Sequence, residues 1–200
     1  KQRQQQEPDC VHMYFNGCGG NIGAGKYNDG SKEMRPVLTQ RILDGIIGSE
    51  QNLDPQPINS VAWHTHDIQP PPDARFNEEA IMNNIANKKA AVSSRNRPSY
   101  TVAWLRRTAA MIPITLSSLH VNNASLLHLP SESFVEYQLR AQAAAPDRFV
   151  ACAAYGDGGP WYIPTAEAYP QGGYAVSVAW CDPAIDGILT NGVKTLLKDA

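Results

Sequence analysis

The chain has 200 residues, 42% of them hydrophobic and 18% charged, and a net charge of −2. That composition describes one globular domain or one lobe of a larger one, long enough to bury a core. The near-neutral balance gives no electrostatic case for nucleic acid or an anionic membrane surface, and no apolar run approaches the ~20 residues of a membrane span.

The polar start (Lys1 to Glu7) has neither an initiator Met nor the basic start and apolar middle of a signal peptide, so the chain is expected to be a fragment or a processed product. Residues 9–15 follow, with Val11, Met13 and Phe15 alternating with Cys10, His12 and Tyr14, and predict a strand buried on both faces. A glycine-rich loop comes next, containing Gly17, Gly19, Gly20, Asn21, Gly23 and Gly25; so much glycine implies close backbone approaches. Ser31 then starts a helix whose apolar face is Leu38, Ile42 and Ile46, joined by Leu43 and Ile47.

Residues 58–68 read as a strand that places His64 and His66 on one face, a spacing able to chelate a metal. Residues 77–92 and 98–110 predict two helices, and residues 112–121 and 124–129 two strands around Asn122-Asn123, a dipeptide suited to a two-residue hairpin turn. The second of these strands stops at Pro130. Ser131 is a helix cap by pattern, with Phe134, Val135, Gln138 and Leu139 at helical spacing, which puts Glu132 in a first turn beside free N–H groups. Residues 148–155 predict an interior strand, and Asp182-Pro183 caps a last helix over residues 184–198. The four cysteines (Cys10, Cys18, Cys152, Cys181) form no CxxC pair, and Cys10 and Cys152 are expected to be buried free thiols.

Four motifs stand in order: Gly20-Asn21-Ile22-Gly23 after a strand, Leu129-Pro130-Ser131-Glu132-Ser133-Phe134, Tyr155-Gly156-Asp157 with Tyr162-Ile163-Pro164-Thr165, and Gln171-Gly172-Gly173-Tyr174. Together they resemble the neutral/alkaline (non-lysosomal) ceramidase family, its shorter bacterial members, over their C-terminal half from about Cys10 onward. The resemblance implies zinc-dependent hydrolysis of the amide bond of an N-acylated lipid by metal-activated water. It implies that Glu132 and Tyr174 are metal ligands, and that two histidines come from an N-terminal half or a second chain. Gly20, Asn21 and Gly23 would form the loop facing the site. Gly23 stands where the family carries a serine, which favours direct attack by water over a serine-based route; Ala175 stands where an acidic residue is usual. An exported protein, secreted or periplasmic, is also implied. The chemistry is coherent, because zinc takes a few N and O ligands with an open position, and a phenol beside a divalent cation binds as phenolate.

Two alternatives stay open. One is a ceramidase-like binding protein without turnover. The other is a nucleotide-binding protein through residues 20–26, which fit GxxxxGK but are followed by Tyr27 where Ser or Thr would hold magnesium. The expected architecture is mixed α/β: a single lobe over residues 1–200, the C-terminal part of a larger hydrolytic domain, with an apolar sheet edge or face completed by a further half.

Overall fold

The computed structural model describes residues 2–23, 25–156 and 159–198, apart from the Lys26 side chain, and is mixed α/β as the pattern predicts. Four strands make the main sheet: β1 (Val61–Ile68), β2 (Ile114–Val121), β3 (Ala124–Pro130) and β5 (Phe149–Gly156), in the order β1-β2-β3-β5. The first three are antiparallel, and β5 joins β3 in parallel. Asn122 takes φ 48° in the β2–β3 turn, and its side-chain oxygen accepts the N–H groups of Asn59 (2.8 Å) and Ser60 (3.1 Å), so the hairpin residue also anchors the entry to β1.

Register assigns the faces. Directly paired residues share a face, so His64, Ser118, Leu127 and Cys152 form one row across the sheet, and Ala62, His120, Ser125 and Val150 the next. Helices α6 (Val135–Ala144) and α8 (Ile185–Lys198) cover this side, α6 over β5 and α8 over β1 and β2. Ile185, Leu189, Val193 and Leu196 repeat at helical spacing on α8, and all are buried. Asp182 caps as predicted, its side chain accepting the Ala184 N–H at 2.9 Å. A Cβ at Gly192 would lie 2.7 Å from Leu116 Cδ1, which is how closely α8 approaches the sheet.

The alternate rows, Val61-Val121-Ala124-Phe149 and Trp63-Leu119-Leu126-Ala151, lie on the opposite face. There Val61, Trp63 and Phe149 are 63%, 62% and 70% exposed, more apolar surface than a finished sheet leaves bare.

A second layer holds α3 (Glu78–Ala86), α4 (Val92–Asn96) and α5 (Pro98–Ala109). The single helix expected over residues 77–92 is broken. Asn87 uses its side-chain oxygen to accept the Lys89 N–H at 3.1 Å, an Asx turn that competes with helical continuation.

The N-terminal expectations need correction. Residues 9–15 form no strand, and Val11, Met13, Tyr14 and Phe15 are exposed rather than buried. The segment meets β5 through the Asn16 carbonyl, which accepts the Ala154 N–H at 2.8 Å. β5 therefore lies at the sheet edge, not inside it. Cys10 is exposed, whereas Cys18, Cys152 and Cys181 are buried free thiols. Helix α1 (Gln2–Gln6) is tied by the Arg3–Glu50 ion pair to α2 (Met34–Glu50), whose first turn is held by Ser31 Oγ accepting the Met34 N–H at 3.2 Å. Of the apolar face expected on α2, only Leu43 is buried; Ile42 and Ile46 line an open groove with Arg3.

His120 is buried and hydrogen-bonds Ser118 Oγ at 2.7 Å and Ser125 Oγ at 2.8 Å. Burial, with the tilted His64 ring 5.3 Å away between centroids, lowers its pKa. Folding therefore disfavours the imidazolium. The contribution to stability is complete above the unfolded histidine value of ~6.5 and is lost as pH falls from there toward the depressed folded value. Thermal midpoints should fall across that window, and His120→Gln should flatten the slope; an unchanged slope would remove His120 as its cause.

Candidate functional site

The site lies beyond the C-terminal ends of the parallel strands β3 and β5, where an α/β sheet commonly presents its ligands. Here the chain does not enter a helix at Ser131. It first forms β4 (Glu132–Ser133), which pairs in parallel with β6 (Tyr162–Ile163). Helix α6 begins three residues later than expected, with Phe134 as its N-cap and no side-chain cap bond. Glu132 is thus fixed by sheet pairing, its N–H donating to the Trp161 carbonyl at 2.9 Å, and not by a helix first turn.

The backbone around Glu132 is strained. Ser131, Tyr155 and Trp161 take φ 57°, 66° and 71°, unusual for residues with a Cβ. All three bear on Glu132: Ser131 precedes it, Trp161 accepts its N–H, and Tyr155 donates its N–H to the Ser131 carbonyl at 2.9 Å. Such conformations cost on the order of 1–3 kcal/mol each and gather at functional sites.

The glycine loop closes on the same point. Gly20 N–H donates to the Ser133 carbonyl at 3.0 Å, and a Cβ on Gly20 would stand 2.3 Å from the Glu132 carbonyl oxygen. Asn21 accepts the Val135 N–H through its side-chain oxygen at 2.9 Å and donates to Glu136 at 2.8 Å. It therefore caps α6 from a distant part of the chain. Gly20 is brought against Glu132 and Asn21 against Val135 and Glu136; Gly23 is solvent-exposed, with nothing within 4 Å of where its Cβ would be.

Tyr162 links the two residues proposed from sequence. It lies beside the half-buried Glu132 carboxylate, whose influence, with burial, pushes its pKa up to about 12. The Tyr174 ring meets Tyr162 edge-on, at 5.8 Å between centroids and 82°. Tyr174 opens the short α7 (Tyr174–Val178) and is 69% exposed. Gly172 and Gly173, at φ 73° and 90°, turn the chain through the left-handed region just before it. Burial first, and then the Glu132 charge, also raises the Tyr155 pKa. Tyr162 was part of a quoted motif but had no assigned role; no local spacing marks a tyrosine whose partner is thirty residues away.

In Glu132→Gln the anion that holds Tyr162 neutral is gone, so the Tyr162 titration should fall toward the ordinary phenol value of ~10. Tyrosinate absorbance, read as the difference from Tyr162→Phe, checks this. A midpoint unmoved by the substitution would mean that the carboxylate does not hold that proton.

From Tyr174 an open groove of about 390 Å³ runs along Phe76, Ile81, Thr101, Trp161 and Trp180. Trp161 meets Trp180 at a tilt, 5.3 Å between centroids, and lies near Tyr100 at 6.4 Å, so its wall is aromatic.

Other candidate residues fall elsewhere. His64 and His66 share a face as predicted, but that face lies under α8, where the His66 ring is 3.2 Å from where a Gly192 Cβ would be. Among the described residues, the group of three His, Cys, Asp or Glu side chains within metal-ligating reach is Glu7, Cys10 and His12, not one containing Glu132, His64 or His66. Asp157 of the third motif lies outside the described residues. The phosphate-loop reading lacks its frame: among the described residues no strand precedes Gly20, and after a 3-10 turn at Gly25–Tyr27 the next helix starts at Met34.

No protein-family model matches the chain, and a search of curated proteins returns no match. Solved structures define the class of fold, which is ceramidase-like. The neutral ceramidase from Pseudomonas aeruginosa superposes with a TM-score of 0.57 at 12% identity, over 94% of this chain and 38% of that one. A ceramidase complexed with C2 aligns over 44% of this chain and 15% of that chain, at 18% identity and a TM-score of 0.38. The chain thus spans well under half the length of either structure. No helix among the described residues is long and apolar enough to cross a membrane.

Proposed function

We propose that the chain is the ceramidase-like portion of a zinc-dependent amide hydrolase acting on an N-acylated lipid, and that Glu132 and Tyr174 are its metal ligands. The observation that carries the reading is the Glu132–Tyr162–Tyr174 contact chain, assembled against a glycine loop on strained backbone.

Glu132 and Tyr174 fit zinc as part of a donor set: a half-buried, oriented carboxylate and an exposed phenol, both oxygen donors. They are two ligands where zinc needs about four including water, so a further half or second chain supplying histidines belongs to the proposal. The bare sheet face bearing Trp63 and Phe149 supports such a partner. Bound there, zinc would polarise the amide carbonyl and make water a nucleophile near neutral pH.

This chain's own residues position. Tyr162, protonated at neutral pH, lies beside the Glu132 carboxylate and orients it; Gly20 leaves room for the loop against the Glu132 backbone. The aromatic groove from Tyr174 to Trp180 offers apolar surface to an acyl chain and excludes water from one side of the site. Without a serine at Gly23, hydrolysis needs no covalent intermediate from that position. A secreted or periplasmic location and the ceramidase family itself belong to this same reading.

The test is metal content and amide hydrolysis in the protein as expressed with its partner half. Zinc should copurify, chelation should abolish hydrolysis of an N-acylated lipid, and Glu132→Ala and Tyr174→Phe should each lower zinc affinity by at least ~10-fold. Full zinc affinity in both variants would overturn the ligand assignment; zinc binding without hydrolysis would favour the non-catalytic alternative.

A further inference from the structure

Two buried thiols in this fold take no part in the proposed chemistry. Cys18 lies at the entry to the glycine loop and is 5% exposed; Cys152 lies on β5 and is 7% exposed. Each thiol is the largest influence on the other's titration. The backbones that carry them are fixed in place: Asn16 accepts the Ala154 N–H at 2.8 Å, a Gly17 Cβ would be 3.9 Å from the Cys152 carbonyl, and Cys18 N–H donates to Gln138 Oε1 at 3.4 Å. We propose that Cys18 and Cys152 are a disulfide-forming pair, whose oxidation pins the start of the glycine loop to the sheet edge beside Glu132.

Buried cysteines are commonly inert small hydrophobes. Three features separate this pair from that case. The thiols are buried neighbours on segments brought together from distant parts of the sequence. Both backbones are tethered, so closing to the ~2.0 Å bond requires side-chain rotation and a small shift instead of refolding. The pair is also polarised: the Cys152 neighbour lowers the Cys18 pKa, while Cys18 and burial raise that of Cys152.

The co-reactant is a low-molecular-weight disulfide. The thiolate of one cysteine attacks one of its sulfurs, forming a mixed disulfide and releasing one thiol. The other cysteine, giving up its proton, then attacks the protein sulfur of that mixed disulfide and releases the second thiol. Two protein thiols lose two protons and two electrons, and the reagent is reduced to two thiols. The consequence is local. The far side of the loop is already held by Gly20 to Ser133 and Asn21 to Val135, so the disulfide would clamp its near side and confine the backbone under Glu132 from both ends.

The test uses the 200-residue chain with its exposed Cys10 removed (Cys10→Ser), incubated with excess oxidised glutathione, then denatured, alkylated and mapped. A Cys18–Cys152 cross-linked peptide is expected, with titratable thiols falling from three to one and restored by dithiothreitol. The oxidised form should unfold at a higher temperature than the reduced form, because the cross-link restricts the unfolded chain. Adding Cys152→Ser should abolish both effects; if that variant fails to fold, the peptide map alone decides. Three thiols left free, glutathione adducts without a cross-link, or a bridge to Cys181 would each overturn the proposal. None of these readouts involves zinc, so the hydrolase reading and this one fail independently.

Discussion

Gly20→Ala is expected to destabilise the protein by about 3 kcal/mol, the upper part of the range for overpacking a well-filled site. The added Cβ would stand 2.3 Å from the Glu132 carbonyl oxygen, 3.0 Å from its carbonyl carbon and 3.1 Å from Phe134 Cδ1. The first two are backbone atoms of a strand pair, so no rotamer change relieves the contact. Relief requires loss of the Gly20–Ser133 hydrogen bond or a shift of β4, and either displaces the candidate ligand. Gly23→Ala, three residues on, meets nothing within 4 Å and should stay within about 0.5 kcal/mol of the parent. Denaturant midpoints of the two variants form the comparison. Equal stabilities would show that the loop does not bear on Glu132 as described.

Asp186→Ala should cost about 2–3 kcal/mol. Asp186 is buried at the first turn of α8, where it accepts the Ala166 N–H at 2.9 Å and pairs with Arg140 of α6. It thereby ties three segments together: α8, α6 and the turn that leads from β6 toward Tyr174. Removing it strands a backbone donor and a guanidinium, the circumstance in which breaking a buried pair is most expensive. The Arg140 side chain keeps 35% of its exposure and lies 3.7 Å from Glu167, so water and that carboxylate take up part of its charge, which sets the figure below the fully buried case. Asp186→Asn keeps an acceptor for Ala166 and should fall between the parent and the alanine variant. Urea denaturation measures all three; an alanine variant as stable as its parent would mean that the pair contributes nothing net.

Several elements were legible because their determinants are local. The Asn122-Asn123 turn and the last helix behind the Asp182 cap follow from turn chemistry and capping, and stand as read. The segment at residues 9–15 misled for a related reason. Alternation reports that a stretch is fit to be a strand, not that a neighbour is present to pair with it, and here the backbone bond to β5 comes from Asn16, beyond the stretch. Helix α2 shows the same limit, with an apolar stripe that little in this chain covers.

For the candidate site, the sequence by itself marked the candidate groups: a carboxylate after a strand, a glycine loop, and a tyrosine behind two glycines. Only the tertiary structure decided how these meet. It moved Glu132 from a helix turn to a two-residue strand, placed Tyr162 between Glu132 and Tyr174, and left Gly23 facing solvent. It also set the left-handed backbone at Ser131, Tyr155 and Trp161, which no residue type announces. The division has a physical cause. Turns, caps and amphipathic faces are set by neighbours within a few residues, whereas a two-residue strand, a strained φ and a tyrosine–carboxylate contact exist only after distant segments have packed and hold one another in place.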